Sequence, residues 1–341
     1  MKKLFSMLLV SVMALSLVAC SSSDTSSTTT TTESTTTTEA ATTETASSGE
    51  SYDLTFSTGG DQGTYYGFGS VLAGQVSGAT NTTVTAITSG GSAANIDALD
   101  MGDAQMAFCQ SDVMAYAYDG IGTYADLGAV TGFSTVAALY LEEVQIVTCD
   151  PSITTVADLA GKNVSIGASG SGVYFNAIDI LGAYGLTEDD INATYEDFGN
   201  STDSLLDGKI DAAFVVAGAP TTSVTSLSTS KQVYLVSIEA EYIDALLAAS
   251  PYYTAVTITA DTYGLDEDAS TVAVGAVVIA RDDVADEAIY DFVSTIYNNP
   301  TTDHAKGAAL DLDFAASVTA VPYHAGAAAY FAEQGIEVAT K

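Results

Sequence analysis

Short apolar runs alternate with segments of helical character from residue 52 to the end of the chain. The first series reads as three strand–helix units, and a second series follows two further strand candidates. The predicted strands are YDLTFS, TVTAIT, AQMAFC, residues 136–140, residues 144–148, VSIG, AAFVV, VYLVS and residues 271–280. The predicted helices cover residues 65–77, 93–101, 113–119, 173–184, 285–298 and 325–334. This alternation predicts two α/β units, each a parallel sheet covered by helices.

Three glycine-rich loops stand between a predicted strand and a predicted helix. They read STGGDQGTYYGFGS at residues 57–70, SGGSAAN at 89–95 and GASGSG at 167–172. Glycines allow close backbone approach to a ligand, and the first N–H groups of a helix have no internal partner, so such loops bind anions. Each loop alone is equally consistent with a tight turn. Their recurrence predicts one shared ligand cleft between the two units.

The N-terminus has the pattern of a secreted lipoprotein. Lys2 and Lys3 precede an apolar run, and the order LVAC ending at Cys20 is typical of a lipobox. We therefore expect a signal peptide over residues 1–19 and lipidation of Cys20, which anchors the chain to the outer face of the cell membrane. The alternative is ordinary cleavage that leaves a free thiol. Residues 20–51 are almost wholly Ser, Thr, Glu and Ala, so we expect a disordered linker.

Charge narrows the choice of partners. The formal net charge is −35 over 341 residues, which argues against binding of nucleic acid or of an anionic membrane surface. No Lys, Arg or His occurs between Lys3 and Lys162. The first two glycine loops would therefore hold a carboxylate with backbone N–H groups and hydroxyls, and the absence of cations favours a zwitterionic amino acid over a dianion. Lys162, Lys209 and Arg281 are candidate cations that could reach the ligand from elsewhere in the chain.

Cysteine usage and the remaining motifs indicate no metal site and no cofactor. Cys109 and Cys149 follow strand-like runs and read as buried small side chains, with a disulfide between them left open. An enzyme is the alternative class. Ser169 would be the nucleophile of an incomplete elbow motif, and only His304 and His324 could serve as its base. We expect a binding protein and not an enzyme.

An ordered set of motifs resembles a known family. GTYYGFG, SGGSAAN, AFCQSD, LAGKNVSIGASGSG, DGKIDAAFVVAGAPT, VAVGAVVIARDDV and VPYHAGAAAYFAEQGI occur in this order between residues 52 and 336. The chain resembles the TAXI solute-binding proteins of tripartite ATP-independent periplasmic (TRAP) transporters. The resemblance implies a type II periplasmic-binding-protein fold, an α/β fold of two lobes joined by a hinge crossed twice. It implies a first lobe of residues 52–142 and 271–341, a second lobe of residues 143–270, and crossings near residues 141–144 and 263–270.

The resemblance also implies a function and partners. The protein would capture a small-molecule solute, an amino acid or small carboxylate such as glutamate or glutamine, and deliver it as a monomer to TRAP transporter membrane subunits. Two alternatives remain open, a receptor of an ABC-type importer with the same fold and a surface lipoprotein for adhesion or sensing. The ligand-binding residues that we expect are Thr58, Gly59, Tyr65, Ser92, Asn95, Gln110, Ser111 and Asp112 on the first lobe, and Ser169, Gly170, Ser171, Gly218 and Pro220 on the second.

Two of these residue choices, Tyr65 and Asp112, have a structural alternative, and so has His324, which is not among them. Tyr65 and Tyr66 are adjacent on a helix and do not share a face, so only one reaches the cleft. Asp112 is either the N-cap of the next helix or the partner of a ligand ammonium group. His324, beside Pro322, reads more as a structural residue than as one that faces the hinge.

Overall fold

The computed structural model describes residues 49–341. Ten strands in this region form one sheet that runs through both lobes. They are β1 (Tyr52–Ser57), β2 (Thr82–Ile87), β3 (Met106–Gln110), β4 (Phe133–Thr148), β5 (Asn163–Ser165), β6 (Asn192–Thr194), β7 (Ala212–Ala217), β8 (Tyr234–Leu235), β9 (Thr254–Ile258) and β10 (Ala269–Arg281).

Helices cover both faces of this sheet, as the alternating pattern predicts. They are α1 (Thr64–Ala79), α2 (Ser92–Met101), α3 (Ser111–Asp119), α4 (Val173–Ala183), α5 (Phe198–Asp207), α6 (Thr222–Ser230), α7 (Ala240–Ala249), α8 (Asp286–Asn298), α9 (Leu312–Ala315) and α10 (Ala325–Glu333).

The strand order is β2-β1-β3-β10-β4-β7-β5-β6. Within the first lobe β1 pairs in parallel with β2 and β3, and within the second lobe β5 pairs in parallel with β6 and β7. The long strands β4 and β10 lie antiparallel to each other and join the two halves. Two chain crossings between two α/β lobes define the type II periplasmic-binding-protein fold, which is confirmed.

Each lobe has its own apolar core on the two faces of the sheet. In the first lobe, one core contains Phe56, Phe68 and Phe292, and a second contains Ile96 and Met114. The second lobe has corresponding cores on its two faces, with side chains from the crossing strands β4 and β10 in both. Because β4 and β10 contribute to the cores of both lobes, they hold the lobes together beneath the cleft.

Two sequence-based assignments need correction. The strand candidates at 136–140 and 144–148 are one continuous strand, β4, because Glu142 and Glu143 lie within the antiparallel ladder with β10 and do not break it. The helices α5, α6 and α7 and the strands β6 and β9 were not predicted. The sequences of α5 and α6, FGNSTDSLLD and TSVTSLSTS, are rich in Ser and Thr, which are typical of loops and caps.

One local prediction is confirmed. Thr187 and Asp190 have capping-box spacing, and the structure shows both reciprocal contacts at the start of a short 3₁₀ turn. The Asp190 carboxylate accepts the Thr187 N–H at 2.8 Å. Asp therefore replaces the usual Glu or Gln of this motif.

Several predictions concern the leader and the lobe limits. The signal peptide, Cys20 and nearly all of the linker lie outside the described residues. The limits 52–142, 143–270 and 271–341 remain predictions, and they fall inside β4 and β10. Cys109 and Cys149 are both free thiols, Cys109 fully buried. Within residues 49–341 no helix combines the length and apolar character that crossing a membrane requires.

Candidate functional site

A cavity of about 240 Å³ lies between the lobes, where the carboxyl ends of the strands face each other. The three predicted glycine loops contribute to its wall, for example through Gly59, Gly91 and Gly172. Tyr65, Phe198 and Val216 provide apolar and aromatic surface. The predicted shared cleft is therefore present as a cavity with a largely backbone-lined polar side.

Three helix N-termini converge on this cavity without a capping side chain. The N-cap residues of α1, α2 and α4 are Gly63, Gly91 and Gly172, and none of them has a side-chain cap hydrogen bond. Each helix N-terminus is equivalent to roughly half a positive charge and presents unpaired N–H groups. Gly91 has a φ of 107°, a conformation that a residue with a Cβ rarely adopts. The polar wall therefore presents unpaired N–H groups and positive potential to an anion.

Two buried polar side chains at this wall lack a partner. Gln110 Oε1 and Ser171 Oγ are buried and make no hydrogen bond among the described residues. Both residues line the cavity. Gln110 lies so close to Gly172 that a Cβ on the glycine would overlap its amide. Because buried polar groups are nearly always paired, these two atoms indicate a position for ligand atoms.

A carboxyl group forms part of the cavity floor. Glu142, in the middle of β4, lines the cavity and is only 2% exposed. Its Oε2 accepts a hydrogen bond of 2.6 Å from the Tyr65 hydroxyl. Burial raises the pKa of Glu142 well above its ordinary value, and the hydrogen bond from Tyr65 opposes that rise. The floor therefore holds a carboxyl that can accept a hydrogen bond from a ligand donor.

A lysine behind the cavity, Lys306, partly compensates for the negative charge of the nearby carboxyl groups. Lys306 Nζ lies 3.8 Å from Glu143 Oε1 and 5.4 Å from the centre of the Tyr140 ring. Glu143 also accepts the Ala219 N–H at 2.9 Å. Burial raises the pKa of Glu143, while the Lys306 charge lowers the pKa of both Glu143 and Glu142. Lys306 itself does not line the cavity.

The other cations of the described residues are engaged elsewhere. Lys162 lies near Asp150, Lys209 pairs with Asp207 and Arg281 pairs with Asp283. Lys231 donates to the Leu205 carbonyl, and Lys341 pairs with Asp282. None of them lines the cavity. No positive side chain among residues 49–341 therefore meets a ligand there.

Hydrogen bonds between the lobes close the cleft. The Ala94 N–H donates to the Gly170 carbonyl at 3.0 Å, and the Thr64 hydroxyl donates to the Gly218 carbonyl at 2.9 Å. A further pair joins Asn176 Nδ2 to Asp112 Oδ2 at 3.0 Å. These contacts join residues of the first lobe to residues of the second, so the structure shows the closed arrangement.

Five of the thirteen predicted ligand-binding residues line the cavity. They are Gly59, Tyr65, Ser92, Gln110 and Ser171. Of the tyrosine pair, Tyr65 lines the cavity and Tyr66 does not. Direct contact of these residues with a solute remains a prediction.

Two further predicted residues lie behind the cavity. Asn95 accepts a hydrogen bond from the Ser57 hydroxyl and donates to the carbonyls of Thr58 and Phe108, all within 2.7 Å. The Thr58 hydroxyl donates to the Ile87 carbonyl. Both side chains therefore hold the first glycine loop in place.

The remaining predicted residues are not cavity-lining. Ser111 accepts the Gly275 N–H, and Asp112 bonds to Asn176. The carbonyls of Gly170 and Gly218 are used between the lobes. Ser169 and Pro220 are exposed. These six residues lie around the closed cleft and not in its cavity.

Four of the residues in or beside the cavity that sequence reasoning missed carry a charge or an aromatic ring. Glu142 was missed because it lies between two strand candidates that in the structure form one strand. Asp197 and Phe198 line the cavity at the start of α5, which was not predicted. Lys306 lies far along the chain and reaches Glu143 only through the fold. A carboxyl within an otherwise apolar strand, EE in LYLEEVQIV, was the one available signal.

The residues of the hydrolase alternative do not form a catalytic group. Ser169 is exposed on its loop. His304 stacks on Phe68 and accepts the Lys306 N–H, and His324 accepts the Gly326 N–H at the start of α10. Neither histidine hydrogen-bonds a serine hydroxyl among the described residues.

The fold and the cleft define a two-lobed protein with the type II periplasmic-binding-protein fold. A model of the NMT1-like family matches residues 56–335, and the chain belongs to this family. The identification with the TAXI receptors of TRAP transporters is corrected by this match, and TRAP subunits are withdrawn as partners.

Solved structures of two-lobed binding proteins resemble the chain at low identity. The alkanesulfonate-binding protein SsuA from Xanthomonas axonopodis pv. citri, bound to MOPS, is 13% identical, with 77% of this chain and 81% of that chain covered and a TM-score of 0.47. The amino acid ABC transporter substrate-binding protein AbpA from Streptococcus pneumoniae, bound to L-arginine, is also 13% identical, with 77% and 94% covered and a TM-score of 0.45. SsuA from Escherichia coli is 15% identical, with 84% and 88% covered and a TM-score of 0.44.

Proposed function

We propose that the protein is an extracytoplasmic solute-binding protein that captures a small carboxylate or amino acid between its lobes. The observation that carries this proposal is the convergence of three uncapped helix N-termini on a closed cavity whose wall holds the unpartnered Gln110 and Ser171. The helix N–H groups and the Ser171 hydroxyl can donate to a carboxylate, and Gln110 Oε1 can accept from a ligand donor such as an ammonium group. Several convergent hydrogen bonds of about 0.5–1.5 kcal/mol each support micromolar affinity, which requires about −8 kcal/mol.

The cavity limits the size of the solute. Its volume of about 240 Å³ lies just below the range of roughly 300–1,000 Å³ that is typical of sites for drug-sized ligands. A solute with the dimensions of a single amino acid fits this limit. Capture requires the lobes to open and close, and closure is favoured only as far as the solute binds the closed form better.

Charge favours an amino acid over a dianion. The helix N-termini supply positive potential on one side of the cavity, while Glu142 and Asp197 supply carboxyl groups. Asp197 already caps α5 by accepting the Asn200 N–H, so Glu142 is the better partner for a ligand ammonium group. With no cationic side chain at the wall, a second ligand carboxylate would have no strong partner.

The proposed partners are the membrane components of an ABC-type importer. This alternative from the sequence is the transporter class left once the TAXI identification is withdrawn. Its test is solute uptake by cells that carry the gene, with and without the ATP-binding subunit that such an importer requires. Uptake that does not depend on an ATP-binding subunit would contradict it. We propose that the receptor acts as a monomer and catalyses no reaction.

The proposed location rests on the N-terminal sequence. A lipid on Cys20 would hold the receptor at the outer face of the membrane on its Ser/Thr-rich linker. Intact-mass measurement of the membrane-extracted protein tests this, because acylation adds the mass of its acyl chains to the product that begins at Cys20. Recovery of the protein in the medium without added mass would contradict the anchor.

Calorimetric titration tests the central proposal. The protein is refolded to remove bound ligand and titrated with single amino acids, with small mono- and dicarboxylates, and with neutral sugars as a control class. We expect saturable one-to-one binding of one amino acid or carboxylate class. Binding of neutral sugars alone would contradict the proposal, and silence across the panel would favour the adhesion or sensing alternative, which predicts no tight small ligand.

A further inference from the structure

A second polar contact joins the lobes away from the solute cavity. Asp112, the second residue of α3 in the first lobe, accepts a hydrogen bond of 3.0 Å from Nδ2 of Asn176 on α4 in the second lobe. Both residues are completely buried, and neither lines the cavity. Asn176 Nδ2 also donates to the Tyr253 hydroxyl, which donates to Asp179 at 2.9 Å. This contact exists only when the lobes are together.

The contact leaves two acceptor atoms without a donor. Asp112 Oδ1 and Asn176 Oδ1 are both buried and have no hydrogen-bond partner among the described residues. An ionised Asp112 has no proton to offer, and the carbonyl oxygen of an amide has none either. Closing the cleft over an ionised Asp112 therefore leaves a buried charge with one side-chain donor, supported only by the backbone N–H groups of Asp112 and Val113, and with an unsatisfied amide oxygen beside it. This arrangement is costly, because burial outweighs these hydrogen bonds and raises the pKa of Asp112.

No cation in the described part of the chain, residues 49–341, compensates for this charge. The titratable groups that interact with Asp112 are Cys109 on β3, Glu142 on β4, Tyr116 on α3, Asp179 on α4, and Tyr252 and Tyr253 before β9. All of them are acids, so none is positive in any protonation state. The simplest way to satisfy the contact is a proton on Asp112.

We propose that Asp112 and Asn176 form a proton-dependent latch between the lobes that sets how readily the cleft closes. With a proton on Asp112, its hydroxyl donates to Asn176 Oδ1 while its other oxygen accepts from Asn176 Nδ2, so both unpartnered atoms are satisfied. Without the proton the latch is weak and the open form gains population. The inference rests on the opening and closing of the lobes that the proposed function requires, but not on the identity of the solute.

The direction of the pH dependence follows from burial. Burial raises the pKa of Asp112 from its ordinary 3.8 to about 6 in the closed structure. In an open cleft the same carboxyl would be hydrated at a helix N-terminus, which keeps its pKa low. The closed form therefore binds the proton more tightly, so closure is favoured as the pH falls through 6. As the pH rises from the lower pKa of the open form to about 6, the closed-to-open ratio should fall by up to about tenfold per pH unit, and above that range it should level off.

The Ala94 amide provides a readout that needs no solute. Its N–H is at the first turn of α2, where it has no acceptor within the helix, and it donates to the Gly170 carbonyl only across the closed cleft. Its hydrogen exchange, divided at each pH by the exchange rate of an unstructured peptide, measures the closed population. Small-angle scattering of the same ligand-free samples gives an independent measure through the radius of gyration.

The decisive variant is Asp112→Asn, measured between pH 5 and 8. The introduced amide keeps the acceptor and adds a donor for Asn176 Oδ1 without charge. We expect a smaller radius of gyration and slower Ala94 exchange than in the wild type at pH 7.5, with the two proteins converging towards pH 5. Asp119→Asn, at the exposed end of α3, makes the same charge change and should behave as the wild type.

Asn176→Asp keeps the inference falsifiable if the first variant folds poorly. Two carboxyls then face each other, so we expect a more open cleft at pH 7.5 and a steeper closure as the pH falls. Two results would overturn the latch. One is an Asp112→Asn variant whose cleft is as open as that of the wild type at pH 7.5. The other is a closed population of the wild type that does not change between pH 5 and 8. Because no solute is added, failure of the latch is distinguishable from failure to bind amino acids or carboxylates.

Discussion

The hydroxyl of Tyr65 donates a hydrogen bond of 2.6 Å to the carboxyl of Glu142 at the floor of the cleft cavity. Tyr65 belongs to α1 and Glu142 to the crossing strand β4, so the bond joins a cavity-lining helix to the hinge strands. The ring of Tyr65 also stacks on Phe108, with the ring centres 4.6 Å apart. The pair therefore has a fixed position from which Glu142 can receive a ligand donor.

Replacing Glu142 by Gln tests whether this carboxyl selects an ammonium group. The amide still accepts from Tyr65 but carries no charge. We expect the affinity for an amino acid such as L-glutamate to fall by about 10- to 100-fold, since a hydrogen bond to a charged group contributes about 1.5–3 kcal/mol. The affinity for glutarate, which lacks the ammonium group, should stay the same or increase. Titration calorimetry with the two compounds measures the difference.

Glu188→Gln is the matched control for this prediction. Glu188 accepts hydrogen bonds from Tyr174 and Tyr195 outside the cavity, so it is a second tyrosine–glutamate group without access to the solute. Its replacement should leave both affinities unchanged. An equal loss of affinity for L-glutamate and glutarate in Glu142→Gln would contradict a role in ammonium recognition.

Gly172→Ala should block closure of the lobes. A Cβ at this position would overlap the Gln110 amide, and Gln110 is on the opposite lobe. We expect at least a tenfold loss of solute affinity and a larger radius of gyration with solute present. Gly182→Ala, near the end of the same helix, meets no atom within 4 Å and should bind as the wild type. Normal affinity in Gly172→Ala would show that Gln110 can move away at little cost.

Lys306→Met should destabilise the closed protein in a pH-dependent way. Lys306 lowers the pKa of Glu143 and Glu142, which burial raises. Without it both carboxyls are harder to ionise, so the loss of stability is largest at neutral pH and shrinks as they become protonated at lower pH. We expect about 1–3 kcal/mol at pH 7.5, measured by urea unfolding, because a mostly buried partner is left unpaired.

The control for Lys306 is a lysine in solvent. Lys209→Met removes a pair with Asp207 that is exposed on both sides, so the unfolding free energy should not change measurably. If Lys306→Met lowers the free energy of unfolding equally at pH 5 and pH 7.5, the cause is the lost packing against Tyr140 and not the lost charge.

The sequence predicts the strands and helices that carry a clear hydrophobic pattern. YDLTFS is β1 residue for residue, and the three glycine loops lie on the cavity as expected. The pattern fails for α5 and α6, whose Ser and Thr residues have low helix propensity and pack through few apolar side chains. Since Asp197 and Phe198 depend on α5, the part of the site on that helix could not be predicted.

A prediction from residue type alone also assigns some side chains to the wrong place. Asp112 and Asn95 have the chemistry of ligand-binding residues, yet their partners are Asn176 and the backbone of neighbouring strands. These partners are separated in sequence by up to 64 positions, so only the folded chain brings them together. Polar residues near a glycine loop therefore predict the neighbourhood of a site better than they predict which side chains face it.

Asn95→Ala should lower the stability of the fold, and its effect on solute binding should follow from that loss. The side chain makes three buried hydrogen bonds that fix the loop after β1, with Ser57 and with the carbonyls of Thr58 and Phe108. Its removal leaves these groups unpaired, so we expect a loss of about 2–4 kcal/mol in the free energy of unfolding. Urea unfolding measures this loss.

Binding of the same variant separates a scaffold role from direct contact. Because the first glycine loop loses its support, we expect a weaker solute affinity that accompanies the lower stability. Asn81→Ala, at an exposed position in the same lobe, should change neither quantity. Reduced affinity in Asn95→Ala with an unchanged unfolding free energy would instead mean that Asn95 contacts the solute, since a scaffold residue cannot be removed without a cost to the fold.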